Sequence, residues 1–505
     1  MKRIVFFVFS ICVSQLQGYS QKITFSEYSK RDSRNMFFEI LGKFDTSFLV
    51  YKGINRKHYI TSYSNEMKIS KTTNLDFIPE RTINLDFIAY PNSVFIIYQY
   101  EKNNIVYCKA AKVDAQAKTI MEPILLDTTK IGFFNDNKIY STVFSEDKQK
   151  ILVYKRQVRN ENMTLVTKLF DVNLQMLDST RQMMKYDDRK EEYSELYVGN
   201  DGNFIFAKET RRNFRDNSSQ LNIILHKPGI DTFRNYSISL NDKYIDDIAI
   251  KIDNLNKHYL VNSFYHNKRQ GNIEGLFTSL IDMSGEKPVK AVFNVFSDSL
   301  RYRMNSSEQY RFIFDNLDIR NTVVKKNGGF VLVAEDFYME TQINNIWNRR
   351  YYNSYIPGAS YDYYMTNPYY YGYRPYSSLN NDQTVRYYYN DIVVLSLDSD
   401  LKLEWNSVIH KKQYDVDDDN FMSFSNMNAG GEIHFFFIDK DRYRQIISDH
   451  SVFPDGKVKR YATLKSNETG YGFMPKLAKQ VGARQMIIPY IYLGYVAFAK
   501  VDFAD

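Results

Sequence analysis

A polar or glycine-bearing turn followed by an apolar strand-like run recurs along this chain. The copies are GKFDTSFLVYKG from Gly42, AYPNSVFIIYQY from Ala89, SEDKQKILVYKR from Ser145 and VGNDGNFIFAKE from Val198. They continue with IDNLNKHYLVNSF from Ile252, VKKNGGFVLVAED from Val324, NMNAGGEIHFFFID from Asn426 and a weaker KQVGARQMIIPYI from Lys479. Behind most copies lies a second strand-like run ending in another tight turn: VDAQAKT at Asp114, FDVNLQM at Asp171, HKPGIDT at Gly229, IDMSGEK at Asp282, LDSDLKL at Asp398 and FPDGKVK at Asp455. Asp, Asn and Gly suit such places because they accept the backbone geometry that joins antiparallel strands. Most copies are about 45 to 57 residues apart, the period of a four-stranded propeller blade and not of a helical repeat.

This pattern predicts an all-β fold, a β-propeller of seven or eight four-stranded blades. The last unit, from about Tyr471, has room for three strands, so Lys22–Phe25 (KITF) is expected to supply its outer strand and close the ring. Closure removes the sheet edges that would otherwise aggregate. Two packed all-β domains are the alternative. The domain plan is a signal peptide over 1–20 and one propeller over 21–505, with insertions at 297–310 and 339–386.

Blade topology assigns loops to faces. The turn between second and third strands opens on one face with the crossover into the next blade; the other two turns open opposite. The larger insertion falls between the second strand (Gly329 to Phe337) and third strand (Asn390 to Leu397) of the sixth unit, and the smaller (SDSLRYRMNSSEQY, Ser297 to Tyr310) in the crossover entering it. Both therefore belong on one face. The larger is the most unusual stretch of the chain: from Trp347 to Tyr389 about a third of the residues are Tyr, with Arg349, Arg350, Arg374 and Arg386 interleaved. Pro357, Gly358, Pro368, Gly372 and Pro375 oppose regular structure across it. A loop this long is functional or disordered, and Tyr and Arg are residues that protein interfaces favour. Trp347, Arg349, Arg350, Tyr364, Tyr370, Tyr371, Tyr373 and Arg374 are the candidate partner-binding residues. Tyr387 to Tyr389 run into the third strand and are read as core. The same face gathers Arg156, Arg159, Arg211, Arg212, Arg215, Lys268 and Arg269, a basic surface suited to steering an acidic partner, though screened within about 8 Å at physiological salt.

The amino terminus narrows the compartment. Lys2 and Arg3 precede the apolar run Ile4 to Val13 and a polar stretch to Ser20, the form of a secretory signal peptide and too short for a spanning helix. Cleavage after Ser20 leaves Gln21 first and lowers the formal charge from +7 to about +5. A lipobox reading of Cys12 is opposed by bulky Ile11. Cys108 then stands alone in IVYCKAA, with no disulfide partner, and is expected to be buried as a small hydrophobe. No later run reaches the length of a membrane span. The expectation is an exported, periplasmic or outer-membrane-associated protein, peripheral to the membrane at most.

Reactions leave no mark here. G-x-S-x-G, H-E-x-x-H and a glycine-rich phosphate loop are absent, and the seven histidines, among them His434 within a strand, lack metal-site spacing. The run Asp415, Asp417, Asp418, Asp419 lacks the glycine and distal glutamate of a calcium loop. No catalytic residue, metal or cofactor is assigned. Aromatic–basic interleaving would also suit nucleic acid, which the export signal opposes. A glycan-binding or glycoside-cleaving propeller working through an axial pocket is the alternative function, since a carboxylate pair leaves no local motif.

The stretch YYYNDIVVLSLDSDLKLEWNSVIHKKQ (Tyr387 to Gln413), the strand GGFVLVAEDFYMET and the Ser20–Gln21 junction resemble exported β-repeat proteins of Bacteroidota. In size and compartment the chain is similar to the periplasmic Plug partner of the type nine secretion translocon. That resemblance implies docking onto an outer-membrane translocon component. The ending KVDFAD lacks the C-terminal domain of type nine cargo, which implies a periplasmic resident. The first expectation is thus a non-catalytic protein-interaction module that docks a partner through its Tyr/Arg-rich loop.

Overall fold

The computed structural model describes residues 22–29, 32–33, 36–132, 138–213, 216–285, 289–304, 316–341, 385–416, 418–441, 444–461 and 471–503. They form eight antiparallel sheets arranged as the blades of a β-propeller. Blade 1 holds Phe37–Phe44, Ser47–Ile54, Lys57–Tyr63 and Ile69–Asn74 from axis to rim, and blades 2 to 7 repeat that up-and-down order. The burial gradient identifies the axis side: the second strand of blade 1 is buried almost throughout, whereas its fourth is exposed at nearly every position.

Blade 8 closes the ring with both ends of the chain. Its strands Gln485–Tyr492 and Tyr495–Asp502 pair with each other, and Lys22–Phe25 adds antiparallel to the latter, Lys22 opposite Asp502 and Phe25 opposite Ala499. The expected closure by KITF is therefore observed, with eight blades. The innermost position of this blade is divided, as it is in blade 4 (Glu191–Tyr193 and Tyr197–Val198) and blade 5 (Tyr244–Ile245 and Ala249–Asp253). The first strand of blade 8 is split into Gly472–Phe473 and Lys479–Gly482 by a turn of 3-10 helix over Pro475–Leu477.

Every junction between neighbouring blades carries its own apolar cluster. Phe38, Phe48 and Val50 of blade 1 meet Ile487 and Phe498 of blade 8. Leu85, Val94 and Ile96 of blade 2 meet Leu49 and Tyr51 of blade 1. Burying each such side chain contributes about 1.5–3 kcal/mol, so the ring is held by sheet-on-sheet packing repeated around the axis. Cys108 is fully buried in the junction of blades 2 and 3, and burial pushes its thiol pKa up. The expected small-hydrophobe role holds.

The Asp-rich turns have a structural explanation. In blades 2, 3 and 6 the side chain of Asp114, Asp171 or Asp398 accepts two backbone N–H groups, from the residues two and four positions on, at 2.8–2.9 Å. The fourth residue of each turn is left-handed yet not glycine: Ala117 (φ 59°), Leu174 (φ 57°) and Leu401 (φ 64°). Ser64 and Met67 (φ 60°) build the same turn in blade 1, without an Asp. A left-handed L-residue costs about 1–2 kcal/mol. Burial of Met67, Leu174 and Leu401 in blade junctions offsets it by about 1.5–3 kcal/mol each. Replacing Asp398 with alanine removes a charged acceptor from two N–H groups and is expected to cost about 1–2 kcal/mol. The midpoint of urea unfolding should fall accordingly with an unchanged slope.

Candidate partner-docking face

Blade 6 departs from the common pattern on the face that bears the second-to-third turns. Its second strand runs Phe330–Thr341 and its third Val385–Leu397, so residues 339–341 and 385–386, expected inside the insertion, belong to the sheet. Past an irregularity between Glu335 and Phe337 the hairpin continues with Phe337 to Thr341 opposite Tyr389 to Val385. Gln413–Val416 pairs on the outer side of that extension, Gln413 opposite Tyr389 and Val416 opposite Arg386. A three-stranded tongue therefore carries the two ends of the Tyr-rich loop.

The tongue has two chemically different sides. On one, Tyr338, Tyr388 and Tyr414 stack across the three strands, with centroids 4.4 and 5.9 Å apart and rings inclined by 12° and 22°. Tyr414 is 55% exposed. The Tyr388 hydroxyl donates to Glu340 at 3.0 Å, and burial followed by that bond raises its pKa. On the other side, Phe337, Met339, Tyr389 and Met422 form a small apolar cluster of their own. Tyr389 is buried as expected, and its hydroxyl donates to Asp419 at 2.7 Å. Tyr387 is partly buried against the same cluster, and Tyr388 belongs to the ladder instead.

Beneath the tongue lies an ionic cluster. The fully buried Glu335 forms ion pairs with Lys411 at 2.7 Å and Arg320 at 3.0 Å and accepts a hydrogen bond from the Ser423 hydroxyl at 2.7 Å. Arg320 also meets Asp318 at 3.2 Å. Lys476 binds Asp419 at 2.7 Å, so this carboxylate of the acidic run serves a salt bridge. Asp418 caps the backbone N–H of Asn420, and burial raises its pKa. Arg320, Lys411 and Lys476 all lie 5.6–5.9 Å from the centre of the Tyr389 ring, where its negative face favours cations. Burial lowers the Lys411 pKa against the pull of Glu335. The sequence signal was available in part: Glu335 and Asp336 are charges inside the otherwise apolar run FVLVAEDF.

The smaller insertion begins as a helix, Asp298–Met304, which strand reasoning missed. Ser297 caps it, its hydroxyl accepting the Leu300 N–H at 3.2 Å, and Asp298 and Arg301 suit the two ends of the dipole. Leu300 is buried in the junction of blades 5 and 6. Arg301 donates to the carbonyls of Ile273 and Glu274 in the second-to-third loop of blade 5, at 3.2 and 2.8 Å. Arg303 reaches Asn406 on the rim of blade 6. Tyr302 is left 82% exposed on the tongue's face.

Trp347, Arg349, Arg350, Tyr364, Tyr370, Tyr371, Tyr373 and Arg374 lie outside the described residues, as does Arg215. The remaining basic residues divide into two groups. Arg211 is buried and paired with Glu192 at 2.9 Å, Arg156 donates to the Tyr193 and Ser194 carbonyls, and Arg269 faces Asp216 at 3.7 Å. These three bind structure together. Arg159, Arg212 and Lys268 are exposed and present charge to solvent. His434, read from the sequence as a packed or rim residue of a strand, is buried with Nδ1 3.0 Å from Asp449.

The opposite face opens on an axial cavity of about 500 Å³. First strands of blades 3 to 7 contribute to its wall, among them Val143, Tyr197, Ile250, Ile319 and Asn428. Its carboxylates are tied to neighbours: Glu146 accepts from Asn254 at 2.8 Å, and Asp253 accepts the backbone and side-chain N–H groups of Asn256, each at 2.8 Å. Asn254 accepts the Asn200 N–H at 3.0 Å and Asn200 that of Asp147 at 3.2 Å. Turns of blades 3, 4 and 5 are thereby linked around the rim.

No protein-family model matches the chain, and neither does any curated protein. Among solved structures it is similar to a prolyl endopeptidase (9% identity, 92% of this chain and 55% of that one, TM-score 0.42). Prolyl oligopeptidase B from Galerina marginata gives 9% identity over 92% and 56% of the two chains, with a TM-score of 0.41. The propeller domain of the Trilobed protease from Pyrococcus furiosus gives 10% over 88% and 99%, with a TM-score of 0.36. The chain spans about 55% of the length of the prolyl endopeptidase. It is the eight sheets of the chain itself that make it a β-propeller.

Proposed function

We propose that this propeller is a non-catalytic docking module of the cell envelope. It binds a partner protein, an outer-membrane or secretion component, through the Tyr/Arg-rich loop of blade 6. The observation that carries the reading is the three-stranded tongue with its Tyr338–Tyr388–Tyr414 ladder, set on the Glu335 ionic cluster. Tyrosine anchors on a rigid base lose little conformational entropy on binding, and aromatic and Arg residues dominate interface energies. Arg159, Arg212 and Lys268 would add steering toward an acidic surface, which affects association rate more than final affinity.

Affinity capture from detergent-solubilised envelope tests this, comparing the tagged full chain with one lacking Asn348 to Asp382. Melting curves of both proteins are recorded first, and recoveries are compared between folded forms. A defined membrane protein recovered at least tenfold less by the deleted form, and also less by Tyr414→Ala, is the expected result. Equal recovery by all three proteins would sink the docking role, and binding of a glycan array by the loop would replace it with the carbohydrate reading.

A further inference from the structure

On the face that bears the second-to-third turns, four hairpins close with the same two-residue turn, and one departs in chemistry. In blades 1, 2 and 3 the joining residues are Asn55–Arg56, Asn103–Asn104 and Asn160–Glu161, every one exposed and left-handed. Such turns favour Asn and Gly, and polar residues suit a tip that stands in water. In blade 8 the same place is taken by Leu493 (φ 49°) and Gly494 (φ 82°), between the paired residues Tyr492 and Tyr495. Five apolar residues other than glycine are left-handed among the described residues: Met67, Ala117, Leu174, Leu401 and Leu493. The first four are buried, so packing offsets the backbone cost, whereas Leu493 is 68% exposed. Leu493 thus combines a strained backbone with a bare apolar side chain, and its compensation has to come from outside the chain.

The surroundings of the tip indicate what covers it. Tyr492 and Tyr495 form a collar below Leu493, and Tyr28 stacks on Tyr495 with centroids 5.4 Å apart and rings inclined by 12°. Tyr28 is exposed, as is Phe37 where the chain enters blade 1. The next hairpin, on adjoining blade 1, ends in exposed Arg56 and Lys57. An apolar apex, a tyrosine collar and neighbouring cations match the layers of a phospholipid surface: acyl boundary, interface and anionic headgroups. Val158 beside Arg159, and Tyr302, are exposed on the same face and supply further points of contact. More than one is needed, because a single small anchor holds only marginally.

We propose that this tip, Tyr492 to Tyr495 with Tyr28, seats the face on an anionic phospholipid surface, with Leu493 entering the acyl boundary. The contact is separate from the Tyr/Arg-rich loop of blade 6 and does not rest on it.

The test uses the chain from Gln21 on, which holds every described strand and lacks the apolar run Ile4 to Val13. Its flotation is measured with vesicles of phosphatidylcholine alone and of phosphatidylcholine with phosphatidylglycerol. Binding to the anionic vesicles is expected to weaken about tenfold in Leu493→Asn. Asparagine is favoured at this turn, so the variant should melt no lower than the parent. Cys108 is fully buried, so an environment-sensitive dye placed on Leu493→Cys reports the tip alone. Its emission should rise on the anionic vesicles and be quenched by nitroxides on the acyl chains. The chain that also lacks Asn348 to Asp382 should bind these vesicles unchanged, which keeps the result apart from the docking role of the loop. No binding of the parent to anionic vesicles, equal binding by Leu493→Asn, or equal binding to neutral vesicles overturns the proposal. So does loss of vesicle binding on deletion of the loop. Unchanged vesicle binding by Leu493→Asn, beside loss of a captured envelope protein, would assign the tip to a protein pocket instead.

Discussion

Replacing Glu335 with alanine is expected to lower stability by about 3–5 kcal/mol, the cost of leaving buried charges without their partner. Arg320 and Lys411 both point at this carboxylate from other segments of the chain, and Lys411 is almost completely buried. In the variant Arg320 keeps Asp318, but Lys411 loses its anion. The second arm of the experiment is the triple change Glu335→Leu, Arg320→Met, Lys411→Met. Desolvating an ion cluster costs about as much as its internal attraction returns, so the triple variant is expected to lie within a few kcal/mol of the parent. Urea unfolding reads both. If the single and triple variants lose the same stability, the cluster is not a coupled unit. The functional consequence concerns the tongue: hydrogen exchange at Phe337 to Thr341 should speed up in Glu335→Ala before exchange in other blades does.

Removing Lys22–Phe25 should have an effect of similar size with a different signature. The strand covers the outer edge of Tyr495–Asp502, and Phe25 packs on Tyr471, Phe473 and Tyr490 with centroids 5.1, 6.2 and 5.5 Å away. Loss of the Phe25 ring alone costs about 3 kcal/mol. Deleting the strand also releases the bond from the Tyr490 hydroxyl to the Ser26 carbonyl by untethering that segment. The bared edge is a template for pairing with a second chain. Lower melting temperature together with concentration-dependent association, by light scattering, is the expected pair of results. A monomer of unchanged melting temperature would show that the ring does not depend on this closure.

Much of the architecture could be read from residue order because it is local. A turn such as DAQAK or DSDLK is completed by its own five residues, and each apolar second strand declares itself by composition. The period of these units set the propeller, and the arithmetic of three strands after Tyr471 identified KITF as the missing fourth. Cys108 and Tyr389 were legible for the same reason, lying within strands whose pattern already marks them as buried.

The tongue and its foundation were not legible, because no local pattern expresses them. Glu335, Arg320, Lys411 and Ser423 come from four separate segments, and only the pairing of blade 6 and its contact with blade 7 brings them within hydrogen-bond reach. The basic residues teach the same lesson. Arg159 and Arg211 look alike in sequence, yet one is exposed and the other is buried against Glu192. Short-range turn chemistry and strand periodicity thus specify a closed propeller of seven or eight blades from the chain alone, and the count of eight comes from the sheets themselves. Which charges are buried and which tyrosines stack depend on contacts between distant segments, and those exist only once the ring has closed.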